Sequence, residues 1–300
     1  MTANDLYKDV PKEQAEHLLK FRADHPCKYV DIAGVRWEYI ACGSGPDTLL
    51  LLPGGLFIAE HVFGYIELFE DACRVIAPTY PPLEDIDEVT NGLAAILDVE
   101  RVQSAFVLGL SYSGMVAQVF VQRFPTRVRK LILSGAGPLL ASRPLGIALS
   151  LISSLTAALP ESIAKGLYQG MLNLMVAFPK SETAFWRAYL REVFSQRLTK
   201  AHIVSSFRQA EGAFKKYAFD RPGAKPWRGE VLILDGEKDA LSTEGVRTAM
   251  AKFYPRSQVQ VIPGIGHALG KLELIRYTEA VKRFLSVTNQ KREAFLNSDR

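Results

Sequence analysis

The strongest constraint on this chain is a set of short runs that are apolar at nearly every position: Thr48–Leu52, Val75–Ala77, Ala105–Leu110 and Leu131–Leu133. A strand that is apolar on both faces must be covered on both, which is the situation inside a parallel sheet. The first run stops at Pro53-Gly54-Gly55, a strong turn signal. Between the runs lie segments of helical periodicity, Ala59–Phe69, Glu84–Leu97 and Met115–Phe124. Strands that alternate with helices imply βαβ units and an α/β fold with a mostly parallel, doubly wound sheet. Upstream, Lys28–Ile32 and Val35–Cys42 flank Gly34 and read as an opening hairpin. Downstream the alternation resumes with Val231–Leu234 (strand), Thr243–Phe253 (helix), Val259–Ile262 (strand) and Leu272–Leu285 (helix).

The stretch 138–227 breaks this rhythm. Leu145, Leu149, Ile152, Leu155 and Leu159 recur at helical spacing, and so do Ile163, Leu167, Met171, Leu174 and Met175. Phe185, Trp186, Tyr189, Val193 and Phe194 repeat the pattern, followed by Ile203, Phe207, Ala210 and Phe214. This predicts an all-helical insertion lying as a cap, or lid, over the strand ends, ahead of the strand Val231–Leu234. The expected organisation is an N-terminal extension (1–27), a core domain (28–137 and 228–300) and the cap (138–227). With 300 residues, 48% of them hydrophobic, the chain can bury a large core. The tail after Thr288 is polar and is expected to fray.

Charge narrows the function classes. Lys and Arg total 36 against 32 Asp and Glu, for a net charge of +4, and no basic block occurs. No nucleic-acid footprint is present. The three cysteines, Cys27, Cys42 and Cys73, are scattered and read as reduced thiols, with no spacing that fits a zinc site. Met1–Phe21 is rich in charge and lacks the apolar region of a signal peptide. Leu145–Leu159 is shorter than the ~20 residues of a membrane span and is interrupted by Ser150, Ser153, Ser154 and Thr156. The expectation is a cytoplasmic protein without stable membrane insertion, although that run would also suit a cap touching a membrane surface. Nothing in the sequence sets an oligomeric state.

The chemistry concentrates at Gly109-Leu110-Ser111-Tyr112-Ser113-Gly114, which follows one apolar run and opens a helix. A serine in so sharp a strand-to-helix turn is presented above the sheet, and its neighbours two residues away must be small. Gly109 and Ser113 meet that need, with Ser113 standing where G-x-S-x-G has its second glycine. The bland alternative is an ordinary turn with a capping serine. A nucleophilic serine needs a base. Of the five histidines only His267, in Pro263-Gly264-Ile265-Gly266-His267, directly follows a late strand. His17 and His25 lie in the extension and His202 on a cap helix; His61, near the first glycine loop, could line the pocket but reads more readily as surface. The base needs an orienting carboxylate. Asp239 sits in the loop after a strand, whereas Asp235, its competitor, sits at the strand end and suits capping the next turn. An oxyanion needs two backbone donors. One is the Tyr112 amide; the other is the amide of Gly55 or Leu56, with Gly55 favoured by position.

Together these pieces resemble the α/β-hydrolase superfamily over nearly the whole chain. Phe124-Pro125-Thr126-Arg127-Val128-Arg129-Lys130-Leu131-Ile132-Leu133 is similar to the segment after the nucleophile helix in that family. Within it the chain looks most like the maspardin-like branch, through Val75-Ile76-Ala77-Pro78-Thr79-Tyr80-Pro81, Ala240-Leu241-Ser242-Thr243-Glu244 and Phe253-Tyr254-Pro255. Some members of that branch resemble binding proteins with an incomplete triad; here all three residues are present. The chain order Ser, Asp, His matches the fold. The expected function is a serine hydrolase, carboxylesterase-like, acting on an ester or related acyl substrate through Ser111, His267 and Asp239, with no metal or organic cofactor. The alternatives are C–C hydrolase, peptidase, lactonase or acyltransferase chemistry on the same triad, or a non-catalytic binding or adaptor protein. Dehalogenases and epoxide hydrolases resemble this fold with an Asp in place of Ser111. Leu56, Met171, Met175, Phe178 and Trp186 are the candidate substrate contacts, and they favour an apolar acyl or aromatic group on a small-molecule substrate.

Overall fold

The structure is a computed structural model and describes residues 6–176, 178, 180–267 and 274–286. Its centre is an eight-stranded sheet of β1 (Lys28–Ile32), β2 (Val35–Cys42), β3 (Thr48–Leu52), β4 (Arg74–Thr79), β5 (Ala105–Leu110), β6 (Val128–Ser134), β7 (Glu230–Gly236) and β8 (Ser257–Ile262). The strand order is β1-β2-β4-β3-β5-β6-β7-β8. The β1–β2 and β2–β4 pairs are antiparallel and all others are parallel. β3 is buried along its whole length, as its unbroken apolar run requires.

Helix α1 (Lys12–Asp24) precedes the sheet, and α2 (Phe63–Phe69), α3 (Ile86–Val99) and α4 (Tyr112–Arg123) connect its first half. The expected helix Ala59–Phe69 is split into a 3-10 turn, Ala59–Val62, and α2. The helix expected from Glu84 starts at Ile86, because Asp85 caps it by accepting a hydrogen bond from the Asp87 amide at 2.9 Å. Gly92 lets α3 settle onto the sheet: a Cβ there would lie 2.0 Å from the Trp37 ring of β2.

Between β6 and β7 run α5 (Arg143–Ala158), α6 (Glu161–Met175), α7 (Thr183–Glu192) with a π turn at Val193–Arg197, and α8 (Lys200–Lys216). α5 packs along α8. Leu151, Leu155, Leu167 and Leu174 on α5 and α6 stay exposed, so the leucine periodicity of these helices does not mean burial throughout. Among the described residues no helix is long and apolar enough to cross a membrane. Helices α9 (Glu244–Phe253) and α10 (Leu274–Leu285) complete the second half. Residues 272–273 of the last expected helix lie outside the described residues.

The N-terminal segment is tied to both layers. Leu18 and Phe21 are buried. Arg22 lies 2.7 Å from Glu60 before α2 and 3.0 Å from Glu192 on α7, and the Tyr7 hydroxyl donates to Glu192 at 2.5 Å.

Candidate active site

Ser111 lies between β5 and α4, at the helix N-cap, with φ 50° and ψ −118°, a conformation that costs a non-glycine residue ~1–3 kcal/mol. The surrounding chain enforces it. Ser111 N donates to Ser134 O of β6 at 2.7 Å, and Gly114 N donates to Ser111 O at 2.8 Å. A Cβ at Gly109 would fall 2.5 Å from Ser113 O, and one at Gly114 would fall 2.3 Å from the Ala136 Cβ. Ser113 is fully buried, and its hydroxyl meets the Tyr80 hydroxyl at 3.0 Å. The serine in place of the usual glycine is therefore held by a partner from the end of β4.

His267 arrives from beyond β8 and Asp239 from beyond β7. Ser111 Oγ lies 2.7 Å from His267 Nε2, and His267 Nδ1 lies 2.8 Å from Asp239 Oδ2. Two loops hold this spacing by stitching to each other. Lys238 N donates to Ile265 O at 2.8 Å, Glu237 N to Ile262 O at 3.0 Å, and Gly264 N to the Glu237 carboxylate at 2.8 Å. Gly236 and Gly135 give the loops room. A Cβ at Gly236 would meet Ile265 O at 2.3 Å. Gly135 (φ +60°) lies under the His267–Asp239 pair, where a Cβ would come 3.2 Å from the imidazole. Gly135 was not singled out from the sequence, although Gly135-Ala136-Gly137 at a strand end is the kind of signal that marks close backbone approach.

Burial works against ionisation of Asp239, but the His267 hydrogen bond and charge and the Leu241 amide (2.9 Å) outweigh it and lower its pKa below the usual value. Asp235 has the opposite surroundings. Burial raises it to about 6, even though it accepts a hydrogen bond from Gly135 N at 3.2 Å. It does not cap the following turn as expected, because β7 carries it into the core at 0% exposure. None of the cysteines competes with Ser111 as nucleophile. Burial raises Cys27 and Cys73 to about 11 and Cys42 to about 12, so they remain thiols.

Above Ser111 opens a cavity of about 410 Å³, within the usual range for small-molecule sites. Gly54, Gly55, Leu56, Ser111, Tyr112 and His267 form its floor, and Met171, Leu172, Met175, Phe178, Phe207 and Ala210 contribute from the helical segment. The Tyr168 hydroxyl donates to Gly55 O at 2.7 Å and pins the glycine loop from α6. Tyr112 is the first residue of α4, so its amide has no acceptor within the helix.

Two side chains lie elsewhere than the sequence suggested. Trp186 does not reach this cavity. It stacks on Phe178 at 5.0 Å and lines a neighbouring cavity of about 280 Å³, because its face of α7 turns toward Phe63 and Phe185. His61 takes the less favoured of its two sequence readings: it lines the main cavity and the adjacent one, and stacks on Tyr189. Its position follows from the 3-10 turn, which helical periodicity alone does not reveal.

The sequence pattern of the alpha/beta hydrolase family matches residues 49–271. The chain belongs to that family. Three solved structures show the same fold at low identity. A hydrolase from Pseudomonas aeruginosa PA01 aligns with TM-score 0.69 and 16% identity, covering 87% of this chain and 98% of that one. A thermophilic esterase from Thermogutta terrifontis gives TM-score 0.69 and 20% identity, with the same coverages, 87% and 98%. A meta-cleavage product hydrolase from Pseudomonas fluorescens IP01 gives TM-score 0.63 and 19% identity over 86% and 97%. No curated protein matches the sequence. The finer likeness to the maspardin-like branch rests on its short motifs alone.

Proposed function

We propose that the protein is a serine hydrolase of carboxylic esters with an apolar acyl or aromatic group, working through Ser111, His267 and Asp239. The observation that carries this reading is the continuous hydrogen-bonded line from Ser111 Oγ through His267 to Asp239, at 2.7 and 2.8 Å, at the floor of a mostly apolar cavity. In this reading the Ser111 hydroxyl donates to Nε2, and Nδ1–H donates to the Asp239 carboxylate, which fixes the imidazole tautomer. As Ser111 Oγ bonds to the acyl carbon, its proton passes to Nε2. The carbonyl oxygen becomes an oxyanion facing the amides of Tyr112 and Gly55. When the C–O bond breaks, Nε2 returns the proton to the leaving alkoxide. Water then repeats the sequence on the acyl-enzyme, with His267 as base. Asp239 stays ionised throughout, consistent with its lowered pKa. The helical cap from α5 to α8 supplies apolar wall and keeps bulk water from the acyl group.

The test is turnover of p-nitrophenyl esters from acetate to decanoate by the wild type and Ser111→Ala. The expected outcome is turnover that falls in Ser111→Ala by several orders of magnitude, together with fluorophosphonate labelling of Ser111. Equal, negligible rates and no labelling would move a binding protein on a hydrolase scaffold to first place.

A further inference from the structure

At the opposite edge of the molecule, three side chains from separate elements converge. His25 follows α1, Cys42 ends β2, and Glu70 follows α2. Among the described residues this is the one group of three His, Cys, Asp or Glu side chains so arranged, and their donor atoms all lie within 4.8 Å of one another. Cys42 pairs with Val75 at the start of β4, whereas Ser111, Asp239 and His267 lie past the ends of parallel strands. The cluster is therefore at the N-terminal edge of the sheet, away from the catalytic serine.

We propose that His25, Cys42 and Glu70 form a binding site for a zinc-class divalent cation that clips the N-terminal helix to the sheet. The chemistry of the three donors selects the ion. Imidazole nitrogen, thiolate and carboxylate suit zinc and its neighbours, whereas magnesium and calcium require an all-oxygen shell. Metal binding displaces the Cys42 thiol proton to solvent; one thiolate and one carboxylate then balance the divalent charge, so the half-buried site is neutral when filled. Three protein ligands leave a fourth position for water.

His25 is oriented by contacts outside the cluster, whereas the side chains of Cys42 and Glu70 hydrogen-bond each other within it. His25 Nδ1 donates to Phe21 O at 2.9 Å, and the ring stacks on Phe21 at 4.2 Å. A backbone carbonyl on one ring nitrogen is the common way of aiming the other at a metal. Nε2 is the nitrogen that faces Glu70 Oε2, at 2.7 Å. Cys42 and Glu70 are held together by Gly43 (φ +76°), where a Cβ would lie 2.7 Å from Glu70 O and 2.3 Å from Cys73 O. No other residue allows so close an approach. The His25 side chain is 8% exposed and Glu70 28%, which leaves one open side for entry. In a tetrahedral zinc shell neighbouring donors sit ~3.3–3.6 Å apart, so closing the present arrangement takes shifts of ~1 Å. Sequence spacing gave no hint of this site, because its ligands come from three elements far apart in the chain.

The full-length protein, stripped with a chelator, is titrated with zinc in competition with a chromophoric chelator, then with cobalt(II). The expected result is one equivalent of zinc and a cobalt complex with a thiolate charge-transfer band in the near ultraviolet. Cys42→Ser removes that band. Cys42→Ser and Glu70→Gln each weaken zinc binding by more than the ~10–100-fold cost of losing an outer-shell partner. A measurement without substitutions accompanies these: zinc should slow iodoacetamide alkylation of Cys42, mapped by mass spectrometry, and leave Cys27 unaffected. The proposal is overturned if the wild type takes up no stoichiometric zinc, if the cobalt complex lacks the thiolate band, or if zinc does not protect Cys42.

Discussion

Asp235 and Asp239 lie four positions apart, on either side of one turn, yet their surroundings push them in opposite directions. Asp239, lowered by His267, favours the folded state above the ordinary carboxylate value, and that contribution is lost as pH falls through its folded pKa. Asp235, raised from 3.8 to about 6, binds its proton more tightly in the folded state than in the unfolded one. Its contribution therefore falls as pH rises through that window, and above it the core holds a costly charge. Asp235→Asn keeps an acceptor for Gly135 N and removes the charge. We expect the gain in stability to be about 1–3 kcal/mol larger at pH 8, above the folded value, than at pH 3.5, below the unfolded one, read from urea midpoints. An equal gain at both pH values would sink this account. The choice of Asp239 as the orienting acid was legible from its position in a loop. The burial of Asp235 was not, since a polar residue at a strand end looks the same whether it faces water or core.

The short apolar runs marked the centres of their strands, but the ladder extends beyond them where polar residues still pair. β4 grows to Arg74–Thr79 and β6 to Val128–Ser134. Backbone hydrogen bonding does not depend on side-chain polarity, so strand ends escape an apolar pattern. The glycines between elements carried more information than their composition suggested. Gly236, at the end of β7, faces the carbonyls of Ile265 and Gly266 directly. Gly236→Ala must push the His267 loop away. Because a displacement of ~1 Å can cost about 100-fold, we expect kcat for a p-nitrophenyl ester to fall by about that factor. The overpacking should cost ~1–3 kcal/mol in a thermal melt. Unchanged turnover would show that the loop does not depend on this contact.

For the molecule as a whole, the mostly parallel sheet and the helical segment followed from alternation and its interruption, but the strand order and the partition of the space between them did not. Periodicity marks a face of a helix without saying what that face meets, which is why Met171, Met175 and Phe178 reach the main cavity and Trp186 the adjacent one. Ala210 of α8 also lines the main cavity. Ala210→Phe should shorten it, moving the acyl-chain optimum toward acetate while turnover of acetate itself changes little. An unshifted optimum would place the acyl group elsewhere. The three residues of the proposed triad stand at the ends of β5, β7 and β8, and the whole helical segment separates the serine from its partners in the chain. A folding intermediate that has paired only β3 to β6 would own the nucleophile but neither base nor acid. Such long-range closures are late and slow events. Recovered turnover during refolding would therefore lag behind recovered helix signal, and would time the docking of the last two strands.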